Sequence, residues 1–323
     1  MKTRLTEMLG IQHPVMLAGM GGVSYAPLVT AVSEAGGFGC LGASTMSNER
    51  MVSEIAAVRT ATDKPFGVDL LTAMPGDLEG QVEQIIAGGA TVFVAGLGVP
   101  AGVVELCHRH DVLVINMCGK VEHARRALDA GCDIVVAQGT EAGGHTGQVA
   151  TMPLVPQIVD AVGAHIPVVA AGGIVDGRGL AASLALGADG VWVGTRFIAT
   201  PEARGVAGYK DAIIRTREDG TTISRAFSGK TMRVIRNDYT RYYEEHPDRL
   251  HPFPAQLATS IEEGAFHLGG GEDTPDVDPE RECYPTGQGV GAIQTLMPAA
   301  SVVTQMVDQA EQVVAHLAAV DSG

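Results

Sequence analysis

The stretch AQGTEAGGHTG, residues 137–147, sets a single imidazole, His145, among Gly139, Gly143, Gly144 and Gly147. An unperturbed imidazole titrates near pH ~6.5, so it can take a proton from a small acidic substrate, or steady its charge, at neutral pH. Glycines on either side would let such a loop approach a flat ligand closely. Two further stretches suit a different task. AAGGIVDGRG, from Ala170, and GVWVGTRF, from Gly190, each leave an apolar run through a glycine turn. The backbone N–H groups of Gly172, Gly173, Gly194 and Thr195 could surround a phosphate there, since no side chain holds the anion away.

These residues need a frame that brings distant loops together. From the start to about residue 200, short apolar runs alternate with Ala-rich amphipathic segments, the rhythm of repeated βα units. Strands are predicted at 13–18, 38–41, 65–71, 91–95, 112–117, 133–137, 166–171 and 190–194. Eight buried-looking strands suggest a closed barrel, so the fold class is α/β, a (β/α)8 TIM barrel with a smaller, mainly helical second domain. Gly36, Gly88, Gly131 and Gly187 each follow a helical segment and precede an apolar run, where a residue tolerant of positive φ would end the helix. The expected domains are a barrel over 1–203, completed by a C-terminal helix within 295–323, and a covering domain over 204–294. The turn-rich acidic stretch from Glu272 to Glu282 reads as a solvated loop. Tyr239, Tyr242 and Tyr243 have helical spacing that suits core packing, with a place at a domain interface or pocket as the alternative.

In such a barrel the loops after the strands form the active face. That places Gly19, Met20, Asp69, Gln138 through Gly147, Gly172, Gly173, Gly194 and Thr195 on one rim, with no second histidine expected to compete with His145.

Hydrophobic residues make up 46% of the 323-residue chain and aromatics only 4%, so the core must be built from small aliphatic side chains, as in a parallel α/β protein. A formal net charge of −15 argues against partnership with nucleic acid or an anionic membrane surface. The start has no secretory pattern and no segment reaches the apolar length of a membrane span. Five scattered cysteines read as reduced thiols in a cytoplasmic protein. CHRH, residues 107–110, lacks further ligands at informative spacing, so no metal site is expected. P-loop, zincin and G-x-S-x-G signatures are missing from the sequence.

EAGGHTG, AAGGIVDGRGLAASLALGADGVWVGTRF, the opening MKTRLTEMLGIQHPVMLAGM, AVSEAGGFG and DKPFGVDLL together resemble the nitronate monooxygenase family, with a further likeness at PTGQGVGAI, residues 285–293. The same motifs are similar to those of flavin-dependent enoyl-acyl-carrier-protein reductases and NADH:quinone reductases. The resemblance implies FMN in the barrel, with Gly19 and Met20 along the flavin and Gln138 and Gly143 at its ring or ribityl chain. It also implies Gly172, Gly173, Gly194 and Thr195 at the phosphate, His145 as the catalytic residue, and a homodimer. Asp69 departs from the family's usual Asn, and a carboxyl there can donate a hydrogen bond only when protonated. The implied reaction is oxidation of a small alkyl nitronate with O2 to a carbonyl compound and nitrite. The alternative is an FMN reductase that uses NADH or NADPH on an enoyl thioester or quinone. A third reading, a flavin-binding protein whose activity has decayed, has only Asp69 in its favour.

Overall fold

The computed structural model describes residues 1–72, 76–96, 98 and 100–320. The sheet strands are β1 (Val15–Leu17), β2 (Gly39–Gly42), β3 (Phe66–Leu71), β4 (Val92–Gly96), β5 (Leu113–Cys118), β6 (Ile134–Gln138), β7 (Gly144–His145), β8 (Val168–Ala171), β9 (Gly190–Val193), β10 (Thr221–Ser224) and β11 (Met232–Ile235). Eight of them pair in parallel in the order β1-β9-β8-β6-β5-β4-β3-β2. A parallel bridge between Met16 and Phe38 closes the ring, with Leu17 N–H donating to Phe38 O at 2.8 Å and Phe38 N–H to Val15 O at 2.9 Å. The strands fall within a residue or two of the predicted runs.

Period-2 alternation sorts the strand side chains into two cores. Met16, Phe38, Cys40, Val94, Ile115 and Val136 point inward and meet Leu5 and Leu9 of the helix Arg4–Leu9. Their neighbours Leu17, Leu41, Val68, Phe93, Val135 and Val193 point outward and pack under the surrounding helices. Cys40 and Cys118 are therefore core residues, and all five cysteines are buried and unpaired.

Gly36, Gly131 and Gly187 adopt φ of 83°, 88° and 91°, the left-handed turn expected of them. At the fourth junction the turn falls one residue later. Gly88 is right-handed with φ −75°, and Gly89 takes φ 84°.

The last helix, Ala299–Ala319, lies along the helices Gly177–Ala185 and Ala26–Glu34 and so ties the end of the barrel to its beginning. A Cβ on Gly177 would sit 2.3 Å from Met306 O, so only glycine permits this approach. Of the predicted span 295–323, residues 321–323 lie outside the described residues.

Between barrel and last helix, the chain forms a cover. It has three helices, Tyr209–Arg215, Asp238–Glu245 and Ala255–Glu262, as the composition suggested. It also has a sheet that the sequence reading did not include. β10 and β11 form an antiparallel pair, and β11 pairs in turn with β7, the Gly144–His145 segment of the barrel loop. Phe227, Tyr239 and Tyr243 make the cover's own core, with the Phe227 and Tyr239 rings stacked 5.0 Å apart. The tyrosines are packing residues, except that Tyr242 is partly exposed. The acidic stretch is solvated as far as Glu280, but Glu282 is buried.

Candidate active site

A cavity of about 390 Å³ lies between the C-terminal ends of the barrel strands and the cover. All ten residues picked from the sequence line it: Gly19, Met20, Asp69, Gln138, Gly143, His145, Gly172, Gly173, Gly194 and Thr195. Its floor is the last inward layer of the barrel, made by Ala18, Asp69, Met117, Gln138, Ala171 and Trp192 at or near the C-terminal ends of the strands.

One edge is built from glycines. Gly172 and Gly173 hold φ of 113° and 72°, outside the range that suits L side chains. Among the described residues the N–H groups of Gly173 and Gly194 have no hydrogen-bond partner. The segment Pro285–Gly289 threads between this edge and the His145 loop. Gly287 N–H donates to Thr195 Oγ1 at 2.9 Å and Gln288 N–H to Glu141 O at 2.8 Å. A Cβ on Gly143 would stand 2.8 Å from the Gly287 nitrogen, and one on Gly289 would stand 2.6 Å from Gly173 O. Thr286 Oγ1 is buried there without a partner. A glycine cradle with free amides is what an anionic group of a bound cofactor would complete.

His145 sits half-buried on the opposite part of the loop. Its main chain is fixed by pairing with Met232 and by Gln138 Nε2 donating to His145 O at 2.7 Å. Buried Arg233 donates to Thr140 O at 2.9 Å and braces the same loop. The His145 ring meets Ser228 Oγ at 3.0 Å through Nε2. Burial, and then the Lys230 ammonium, hold this imidazole below its usual range, so it is neutral at pH 7.

Asp69 is more than nine-tenths buried and has no hydrogen-bond partner among the described residues. Burial pushes its carboxyl up to about 8. A Cβ at Gly19 would overlap the Asp69 side chain at 2.3 Å, so Gly19 is needed to admit it. In the unfolded chain the carboxyl ionises near 3.8, so between 3.8 and about 8 unfolding releases a proton and stability falls as pH rises. Asp69→Asn is expected to raise the melting temperature of the ligand-free chain at pH 7 and to flatten its decline across that window. Parallel melting curves for the two proteins from pH 4 to 8 would contradict this.

A second histidine reaches the cavity, contrary to the expectation that His145 stands alone. His267 follows the helix Ala255–Glu262 in the cover, and both it and Glu282 line the cavity wall. Its ring Nδ1 lies 2.6 Å from Glu282 Oε2, and its main-chain N–H donates to Glu282 Oε1 at 3.1 Å. Burial pushes the Glu282 carboxyl up while the contacts with His267 pull it down.

The sequence pattern of the nitronate monooxygenase family matches this chain over residues 2–85 and 72–309. The chain belongs to that family. The chain is an oxidoreductase of this family. A solved structure of FabK from Thermotoga maritima superposes with a TM-score of 0.87 at 33% identity over 98% of each chain. Nitroalkane oxidase from Streptomyces ansochromogenes gives a TM-score of 0.84 at 29% identity, covering 97% of this chain and 99% of that one. The 5-hydroxy-7a-methyl-1-oxo-octahydro-1H-indene-4-carboxyl-CoA dehydrogenase of Mycobacterium tuberculosis is 40% identical over 80% of this chain and 72% of its own.

Within this family member the sequence reading missed Ser228, Lys230, His267 and Glu282. The first two flank the turn between β10 and β11, far along the chain from His145. His267 precedes a run of three glycines, Gly269 to Gly271, a local sign of a loop in close contact. Gly22 and Gly269 do meet: a Cβ on Gly22 would lie 3.4 Å from Gly269 Cα. No helix among the described residues is long and apolar enough to cross a membrane, and no group of three His, Cys, Asp or Glu side chains there is arranged to hold a metal. Within CHRH, Cys107 is buried and His108 Nε2 pairs with Asp133 at 2.9 Å.

Proposed function

We propose that this chain is an FMN-dependent nitronate monooxygenase that converts a small alkyl nitronate and O2 to a carbonyl compound and nitrite. The observation that carries the reading is the convergence of a glycine-lined cradle and a hydrogen-bonded His145 on one cavity under a cover. Gly172, Gly173, Gly194 and Thr195 would hold the FMN phosphate through main-chain N–H groups. Gly19, Met20, Asp69, Gln138 and Gly143 would border the flavin. When bound, FMN supplies the electron acceptor between substrate and dioxygen.

His145 then orients the nitronate. A neutral imidazole donates from one nitrogen only, and Ser228 at Nε2 fixes which way the ring faces. Lys230 adds a positive field that favours an anion beside it. Five buried, unpaired thiols support a cytoplasmic setting. The kinship with a structure of nitroalkane oxidase supports the substrate class.

A second reading is favoured by the 40% identity to a CoA-thioester dehydrogenase: an NADH- or NADPH-dependent FMN reductase of enoyl thioesters or quinones. Steady-state assays separate the two. Oxygen uptake with one nitrite per ethyl nitronate is expected here. Nicotinamide oxidation that depends on a crotonyl thioester or quinone, with no nitrite from nitronate, would overturn the proposal in favour of the reductase.

A further inference from the structure

We infer that Asp69 recognises the bound flavin as a hydrogen-bond donor, through the O–H of a neutral carboxylic acid on the cavity floor, so that the grip on the cofactor weakens in alkaline solution; the inference rests on the FMN reading above. The carboxyl is more than nine-tenths buried, lines the cavity and has no hydrogen-bond partner among the described residues.

The barrel explains why. In the parallel register Asp69 stands between Gly42 of β2 and Val94 of β4. Gly42 has no side chain, and Val94 is fully buried hydrocarbon. Gly19 also adjoins it, where a Cβ would fall 2.3 Å from Asp69 Cβ, as does Gly96, where a Cβ would lie 3.8 Å from Asp69 Oδ1. The inward core includes Cys40 of β2. These neighbours bring glycine, hydrocarbon and one thiol to the carboxyl. Its open side is the cavity, and the missing partner has to come from there.

The same surroundings set the protonation of the group. A carboxylate taken out of water needs a cation or several N–H donors to stay ionised. Burial is the sole influence on Asp69 and pushes it up to about 8. Cys40, the titratable group of β2, is itself held as a thiol by burial and then by Asp69. β1, its exit through Met20, and β4 carry no titratable side chain. His145, His267 and Glu282 line the cavity from the loop after β6 and from the cover, and none of them shifts Asp69. At neutral pH the group is an acid with one O–H to give.

A ligand acceptor placed at this O–H would complete it, whereas the same acceptor facing the carboxylate would set lone pair against lone pair. Binding therefore draws on the protonated form. Below about 8 that form prevails, and Asp69 leaves the affinity level. Above it, each pH unit weakens the apparent affinity about tenfold, and binding takes up the missing proton from solvent.

The test is fluorescence titration of ligand-free protein with FMN at pH 7, 8 and 9, for wild type and Asp69→Asn, whose amide donates at every pH. The second ionisation of the FMN phosphate, at about 6, lies below this range and is shared by both proteins. Melting temperatures report folding. The wild-type Kd is expected to rise roughly tenfold from pH 7 to pH 9 while that of Asp69→Asn stays level. An indicator dye in weak buffer at pH 9 should register uptake of about one proton per FMN bound by wild type and none by the variant. Affinity that rises with pH, the same pH dependence in both proteins, or binding by wild type at pH 9 without proton uptake would overturn the role of Asp69 and leave the FMN reading standing. Failure of the wild type to bind FMN at pH 7 would overturn the FMN reading and this inference with it.

Discussion

Replacing His145 by alanine is expected to lower kcat/KM for an alkyl nitronate by about 10²- to 10⁴-fold, the range for loss of a positioned acid–base or hydrogen-bonding imidazole. The backbone should tolerate the change. The pairing of β7 with β11 and the bond from Gln138 use main-chain atoms of His145, which alanine keeps. Only the ring and its contact with Ser228 are lost. The loss should therefore appear in turnover without a matching loss of bound flavin. A variant that keeps more than half of the wild-type kcat/KM would remove His145 from the chemistry.

The second large effect is expected at the glycine edge. Gly172 combines a φ of 113° with a site where a Cβ would lie 2.6 Å from Thr151 Oγ1 and 3.1 Å from the main-chain atoms Ala142 N and Gly139 O. Thr151 cannot easily give way, because its hydroxyl and N–H are both held by Glu141 Oε2, at 2.9 and 2.8 Å. Relaxation must move the Gly172–Gly173 turn itself. Backbone strain of about 1–3 kcal/mol corresponds to roughly 5- to 150-fold in an equilibrium, so Gly172→Ala should weaken FMN binding by that order. Fluorescence titration of flavin-free protein with FMN measures it. Unchanged affinity would show that the cofactor phosphate does not depend on this turn.

The contrast between the two imidazoles shows what the chain reveals before it folds. His145 was legible because its loop leaves a barrel strand, and a parallel barrel puts every strand exit on one face. The same rule picked Asp69, an inward position in a strand whose neighbours Val68 and Leu70 point outward. It could not show that Asp69 lacks a partner, since that depends on what arrives from β2, β4 and the cover. His267 was not legible. Its partner Glu282 lies fifteen residues on, at the end of a turn-rich acidic stretch whose composition reads as solvent-exposed, and tertiary hydrogen bonds from Asn237 Nδ2 to Glu282 O and from Cys283 N–H to Ala265 O hold that segment against the cover.

The cover's sheet was hidden for a related reason. TTIS and MRVI are four-residue runs without clear alternation, and β7 is two residues long. The pairing of β7 with β11 is tertiary: it forms only where the barrel presents Gly144 and His145 as an edge.

The most direct test of the proposed function is rapid mixing of the purified protein, loaded with FMN and without oxygen, with an alkyl nitronate, NADH or NADPH in separate experiments, following the oxidised-flavin absorption band. Bleaching by the nitronate and by neither nicotinamide is the predicted result. Bleaching by NADH or NADPH alone would contradict it and assign the cavity to a reductase.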